Sequence, residues 1–383
     1  MILNAWHFRF VLALVFAAQW FRLGGSVAHT LTGRYKSEIF MRTIQEQFNK
    51  ILEDLVADNP AKARELDIKK LVADLTPEFV EMIGKSLHSS MPEMLSHRRS
   101  DFSSFADMNV EKWQSAFDLL ETHIVICTEA GATLNSKYRP EAAEQGDLIF
   151  DLLVRHHARA CHIANEILCL LKNGFPDAAH SRWRALHEVN ATALFIFNHG
   201  QECAERFYFH DVVDAYDAMK EHRKYEDRLQ AKGPTDIEMN ELKKVYDDLI
   251  IKYGRNYAGH YGWAAYLFPG HSRVGFGAIE KDVGLEHMRP YYKWASQNIH
   301  AGSKGLRNRL ALADCSEDIL VVGQSNSGMT DPAHATAISL LGVTSTLLTY
   351  KPSMDTIVML QIAAKYSDKI GREFLRLSRN TDL

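Results

Sequence analysis

Apolar side chains in this chain recur at helical intervals over long unbroken stretches, and that pattern leaves little room for a sheet. Residues 110–135 carry Trp113, Phe117, Leu120, Ile124 and Cys127 at steps of four, three, four and three, which puts all five on one face of a helix. Residues 143–172 repeat the pattern with Leu148, Leu152, Ile163, Ile167 and Leu171, then stop at Asn173-Gly174, a helix C-cap signal. Pro176-Asp177 opens the next helix, which is expected to run to His199-Gly200. Residues 202–230 and 235–253 form a charged antiparallel pair across Lys232-Gly233-Pro234, a hairpin expected to protrude into solvent. Between 254 and 285 seven glycines, occurring with Tyr257, Tyr261, Trp263 and Tyr266, mark a loop region with one short helix. Helices at 286–300, 332–350 and 353–378 complete an all-α, multi-helix bundle. Only Ile319-Leu320-Val321-Val322 reads as a strand.

Toward the N-terminus the units are shorter. Amphipathic helices are expected at 41–57, 61–74 and from Thr76-Pro77-Glu78 to about Ser90, with a polar linker from Ser96 to Asn109. The organisation that follows is an atypical segment at 1–40, a small helical region at 41–95 and a main helical domain at 110–383. Residues 1–40 hold four basic side chains (Arg9, Arg22, Arg34, Lys36), one acid (Glu38) and an apolar run from Phe10 to Ala18. That run is far short of the roughly 20 residues that span a bilayer. It fits a secretory signal or an extension upstream of a start at Met41. Setting those forty residues aside takes the net charge from −4 to −7, so no overall positive field favours nucleic acid. Five scattered cysteines without a C-x-x-C pair fit reduced thiols, and a cytoplasmic setting is expected.

The 18 histidines are the unusual count. None follows a Glu by three residues and no H-E-x-x-H occurs, so a helical di-metal or zinc-protease site is not expected. No cofactor motif is present either: Gly275-Phe-Gly277 has no third glycine, and Gly323–Gly328 departs from a nucleophile elbow and reads as a loop. Two constellations remain. On one helix face lie Arg159 and His162, with Arg155 and Glu166; on the next helix lie Arg184, His187 and Glu188. Facing one another they make an anion or nucleotide site or an acid–base pair; otherwise they form a buried ion-pair network that fixes helix register, or simply a solvated face.

Helical ribonucleases of the higher-eukaryote and prokaryote nucleotide-binding type pair an Arg with a His across four to six intervening residues. Arg155/His162, Arg182/His187 and Arg255/His260 resemble that pairing, although chance placement alone gives roughly three such matches. Only Arg255 is followed by the Asn that this class prefers. There the His exchanges a proton with the ribose hydroxyl or leaving oxygen and the Arg stabilises the phosphorane, giving a metal-independent nuclease or toxin with RNA as its partner.

Gly174-Phe-Pro-Asp-Ala-Ala179, Arg182-Trp-Arg-Ala-Leu-His-Glu188, Ala204-Glu-Arg-Phe207, Tyr261-Gly-Trp263 and Tyr292-Lys-Trp-Ala-Ser296 with His300 resemble, in pattern and order, the bacterial domain of unknown function 5677. The resemblance runs over about residues 110–350. It implies a helical bundle without an established activity, in proteins associated with mobile elements or phage defence, and it supplies no catalytic residues. The leading expectation is therefore a helical-bundle protein that binds or assembles, with a polar site at Arg184, His187, Glu188 and His300. A homo-oligomer is compatible with a bundle of this size.

Overall fold

The computed structural model describes residues 48–54, 57, 67–271, 273–307, 309–313 and 320–379. The expected signal-like or extension segment at 1–40, and Met41, lie outside the described residues. Every regular element described is helical: a stretch at 48–54, then α1 (Ile68–Gln145), α2 (Leu148–Lys172), α3 (Pro176–Phe209), α4 (Asp211–Leu229), α5 (Asp236–Tyr253), α6 (Phe276–Asp282), α7 (Arg289–Gln297), α8 (Ser303–Arg307), α9 (Thr330–Tyr350) and α10 (Met354–Arg379), with single 3-10 turns between some of them. Residues 320–322, expected as part of a strand, are irregular.

Two compact groups of residues are distinguishable. One reaches to Met108 and takes in a segment ending at Ser325; the other holds Asn109–Ala313 and continues from Asn326. In the first, the expected linker at Ser96–Asn109 is helical, and so are the expected breaks around Pro77 and Pro92, because α1 runs through all three. Hydroxyls of this Ser-rich stretch are satisfied within the helix. Thr76 donates to the Val72 carbonyl, Ser89 to Ser86, Ser90 to Leu87 and Ser104 to Ser100, so the side chains bond back onto their own helix. No residue from Ile68 to Met108 is buried.

The second group has a dense core. All five expected residues of the 110–135 stripe are buried, Phe117, Leu120 and Cys127 completely. They join the buried faces of α2, α3, α9 and α10 in one cluster. α2 begins at Asp147, whose carboxylate accepts from the Phe150 amide and from the Tyr350 hydroxyl. It ends at a Schellman cap: Phe175 N–H donates to Leu170 O and Gly174 N–H to Leu171 O, with Gly174 at φ 78°. Pro176 then starts α3 in its first turn. Gly200, at φ 70° and ψ −155°, bends α3, and that conformation suits a residue without Cβ. α4 and α5 bury one side chain each, Val213 and Leu249. They form the expected exposed hairpin, held by Tyr216 against Tyr246 and by a Thr235/Glu238 capping box.

Most of the histidines described in this core serve as packing groups. His123 bonds the Ala337 carbonyl (3.1 Å) and His157 bonds Thr344 Oγ1 (3.2 Å). Burial pushes both down to about 4, so they sit neutral. Gly131 is the reason the His157 ring fits, since a Cβ there would meet its Cε1 at 2.2 Å.

Candidate functional site

One face of α3 presents His180, Trp183, Arg184, His187 and Glu188 on successive turns, and α6 and α7 pack near it. Glu280 comes from α6, where it lies on the buried side with Phe276 and Ile279. Arg289, Tyr292 and Trp294 come from α7. His187 Nε2 donates to Glu280 Oε1 at 2.8 Å, and both side chains are 1% exposed. The other Glu280 oxygen accepts from Arg289 Nη1 at 2.8 Å. A buried carboxylate with a cation on one side and an N–H donor on the other meets the condition under which such burial is tolerated. Burial lowers the proton affinity of His187, against the upward pull of Glu280 and Glu188.

Beside this pair lies a second, half-buried one. Arg184 Nη2 is 3.1 Å from Glu188 Oε1, and the Tyr292 hydroxyl donates to the same oxygen. The Arg184 guanidinium sits 4.8 Å from the Tyr292 ring centroid, and that of Arg289 sits 5.3 Å from it, both within cation–π range. Burial, reinforced by the hydrogen bond to Glu188, pushes the Tyr292 hydroxyl up to about 12, so it stays a donor. Tyr261 is raised as well, first by burial and then by Glu188. The Arg289 guanidinium also lies over Gly277, where a Cβ would meet Nη2 at 2.4 Å.

Two side chains on this face have polar atoms left over. Arg184 Nε is buried without a hydrogen-bond partner, and neither ring nitrogen of the fully buried His180 has one. His180 is instead flanked by rings, stacked on Trp183 (5.5 Å) and edge-on to Trp294 (5.4 Å). Burial takes it down to about 4. Buried polar atoms without partners are uncommon enough to call for an explanation.

The other expected site residues are placed apart. His300, after α7, is exposed. Arg159 is exposed on α2, and His162 faces Glu166 at 3.3 Å, which also takes Arg182 from α3. Among the described residues, no side-chain hydrogen bond or ion pair joins His300, Arg159 or His162 to Arg184, His187 or Glu188. Arg255 and His260 are exposed around a 3-10 turn, the His260 ring edge-on to Tyr261 at 4.7 Å. Glu280, Arg289, Tyr292 and His180 complete the α3 face and were not expected as a site. A single acid next to Ile279, inside the seven-residue α6, was the only sign of Glu280. Among the described residues, no group of three or more His, Cys, Asp or Glu is placed to hold a metal ion, and no helix is long and apolar enough to cross a membrane.

Residues 150–318 match a family of unknown function, DUF5677. The match takes in every segment on which the resemblance rests, from Gly174-Phe-Pro through Tyr292-Lys-Trp to His300, so the expected likeness is borne out over these residues. It also takes in α6 and Glu280. The stretches on either side, from 110 and to 350, lie beyond it. Among curated proteins and among solved structures nothing matches this chain.

Proposed function

We propose that the chain is a binding protein whose α3 face, at Arg184, His187 and Glu188, recognises a small anionic group. The observation that carries this reading is the state of Arg184. Its guanidinium is fixed in place by Glu188 and by the Tyr292 ring, yet its Nε–H is buried with no acceptor. A cation held in advance, with a donor to spare, loses little freedom on meeting an oxyanion. Arg289, also within cation–π range of the same ring and paired with Glu280, lies beside it. His300, Arg159 and His162 enter this proposal as outlying members, tested separately.

The experiment is a thermal-denaturation titration with inorganic phosphate and with acetate. A midpoint that rises with either anion in the wild type, and stays level in Arg184→Gln, supports the reading. A level midpoint in the wild type refutes it. The same titration on His300→Ala and Arg159→Ala shows whether those positions contribute.

A metal-independent ribonuclease is the second reading, and exposure of both Arg255 and His260 favours it. RNA integrity is followed after expression of wild type, Arg255→Ala and His260→Ala. Degradation lost in both variants supports it, and intact RNA in the wild type removes it. The wider setting we propose, on the family resemblance alone, is bacterial defence, for which a phage-challenge assay with and without the gene is the check.

A further inference from the structure

Each guanidinium on the α3 face already has a carboxylate of its own: Arg184 pairs with Glu188 and Arg289 with Glu280. Burial lowers the proton affinity of His187, so it adds no charge at neutral pH. The local charges therefore cancel, and the face holds no net positive field to draw in an isolated anion. A ligand that carries both signs is answered group by group instead.

The two pairs differ in what they have left to give. Glu280 is 1% exposed, and its oxygens are taken by His187 and Arg289. In the outer pair Arg184 is 26% exposed and Glu188 34%, so both can be reached from solvent. Arg184 keeps a donor without an acceptor in Nε–H. Glu188 uses Oε1 for Arg184 and for the Tyr292 hydroxyl, while Oε2 takes no hydrogen bond from the described residues. A spare donor and a spare acceptor thus stand side by side. Tyr261 adds a second donor. It is half-buried, its hydroxyl interacts electrostatically with Glu188 and Arg184, and burial raises its proton affinity, so it keeps its proton.

We infer that the ligand is a free α-amino acid, its carboxylate held by the Arg184 guanidinium and the Tyr261 hydroxyl and its ammonium by Glu188 Oε2. Spacing supports this class. Arg184 Nη2 and Glu188 Oε1 are 3.1 Å apart, so the groups that meet them must be close neighbours on the ligand, and an α-amino acid bears both on one carbon. Acetate or phosphate satisfies only one half of the pair, and a simple amine only the other. The inference rests on the reading of Arg184 as an anion-binding group and narrows it.

Thermal denaturation of the full chain, titrated in turn with each standard L-amino acid, acetate, phosphate and methylammonium, tests it. Acetate is expected to bind weakly and at least one amino acid about tenfold or more tightly, the worth of one added charge-assisted hydrogen bond. The N-acetyl derivative of that amino acid, which lacks the ammonium, falls back to the level of acetate, and its methyl ester to that of methylammonium. These comparisons need only the wild type. Among variants, Glu188→Gln loses the advantage of the amino acid over acetate and keeps the acetate response, whereas Arg184→Gln loses both. Tyr261→Phe weakens amino-acid binding about fivefold. A response to acetate or phosphate that no amino acid exceeds overturns the inference and leaves the anion reading standing, as does an N-acetyl derivative that binds as tightly as its parent. An amino-acid response that survives in Arg184→Gln also overturns it. Level midpoints with every compound overturn both.

Discussion

Two Arg–His neighbourhoods lie on the same chain, and they differ in what surrounds them. At Arg184/His187 the side chains pack among three helices; His187 and Glu188 meet partners from distant segments, while Arg184 pairs locally with Glu188 and keeps its Nε–H without an acceptor. At Arg255/His260 both side chains are exposed at a short turn, and the His260 ring meets only the edge of Tyr261 among the ring contacts described. The same pair of residue types thus makes an organised face in one place and an open surface in the other. Spacing sets which residues can share a helix side; the segments that come back to meet them set the chemistry.

The largest consequence concerns Glu280. Glu280→Ala strips the partner from Arg289 and leaves the buried His187 N–H without an acceptor, at a cost of about 3–5 kcal/mol, as when one member of a buried pair is removed. Denaturant unfolding measures it, and a loss under about 1 kcal/mol would mean that the pair is not a buried one. Next comes His180. Its folded-state value of about 4 lies below the ordinary 6.5, so the folded chain binds fewer protons than the unfolded chain between those limits. Its contribution is whole above 6.5 and is lost as pH falls toward 4, on the order of 3 kcal/mol at the bottom of that range. His180→Phe is expected to flatten the fall in denaturant midpoint between neutral pH and about pH 4; parallel curves for variant and wild type would contradict this. Tyr292→Phe, which removes one hydrogen bond to a half-exposed carboxylate, is expected to cost about 1–2 kcal/mol. An unchanged stability would show that water replaces the hydroxyl there. At the small end, His260→Ala is expected within about 0.5 kcal/mol of wild type, and a larger change would mean that its turn is held by contacts other than the ring of Tyr261.

The helices of the main body were legible because their apolar intervals were regular. Trp113 through Cys127, Gly174 with Pro176, and the Gly233-Pro234 turn all did in the fold what their spacing and caps required. The exposed half of α1 was misjudged for a physical reason: serines and prolines lower helix propensity, but they do not by themselves end a helix whose hydroxyls bond back to it. Within the α3 face, Arg184 and Glu188 were legible as an i, i+4 pair. Glu280, Arg289 and the packing of His180 were not, because they depend on which loop folds back over α3, and no local pattern records that.

The hydrogen bonds that tie this face together join residues far apart along the chain: His187 with Glu280, Glu188 with Tyr292, and Asp177 with the backbone N–H of Leu310 and Ala311. Contacts of that separation close long loops and are costly to form early. The face is therefore expected to act on the kinetics as a latch that engages after α2 and α3 have paired. Weakening Glu280 is expected to speed unfolding while leaving the refolding rate nearly unchanged, which stopped-flow measurements of both rates resolve. Equal changes in the two rates would place the closure at the start of folding instead. On this view the lifetime of the folded chain is set from the region of residues 276–311.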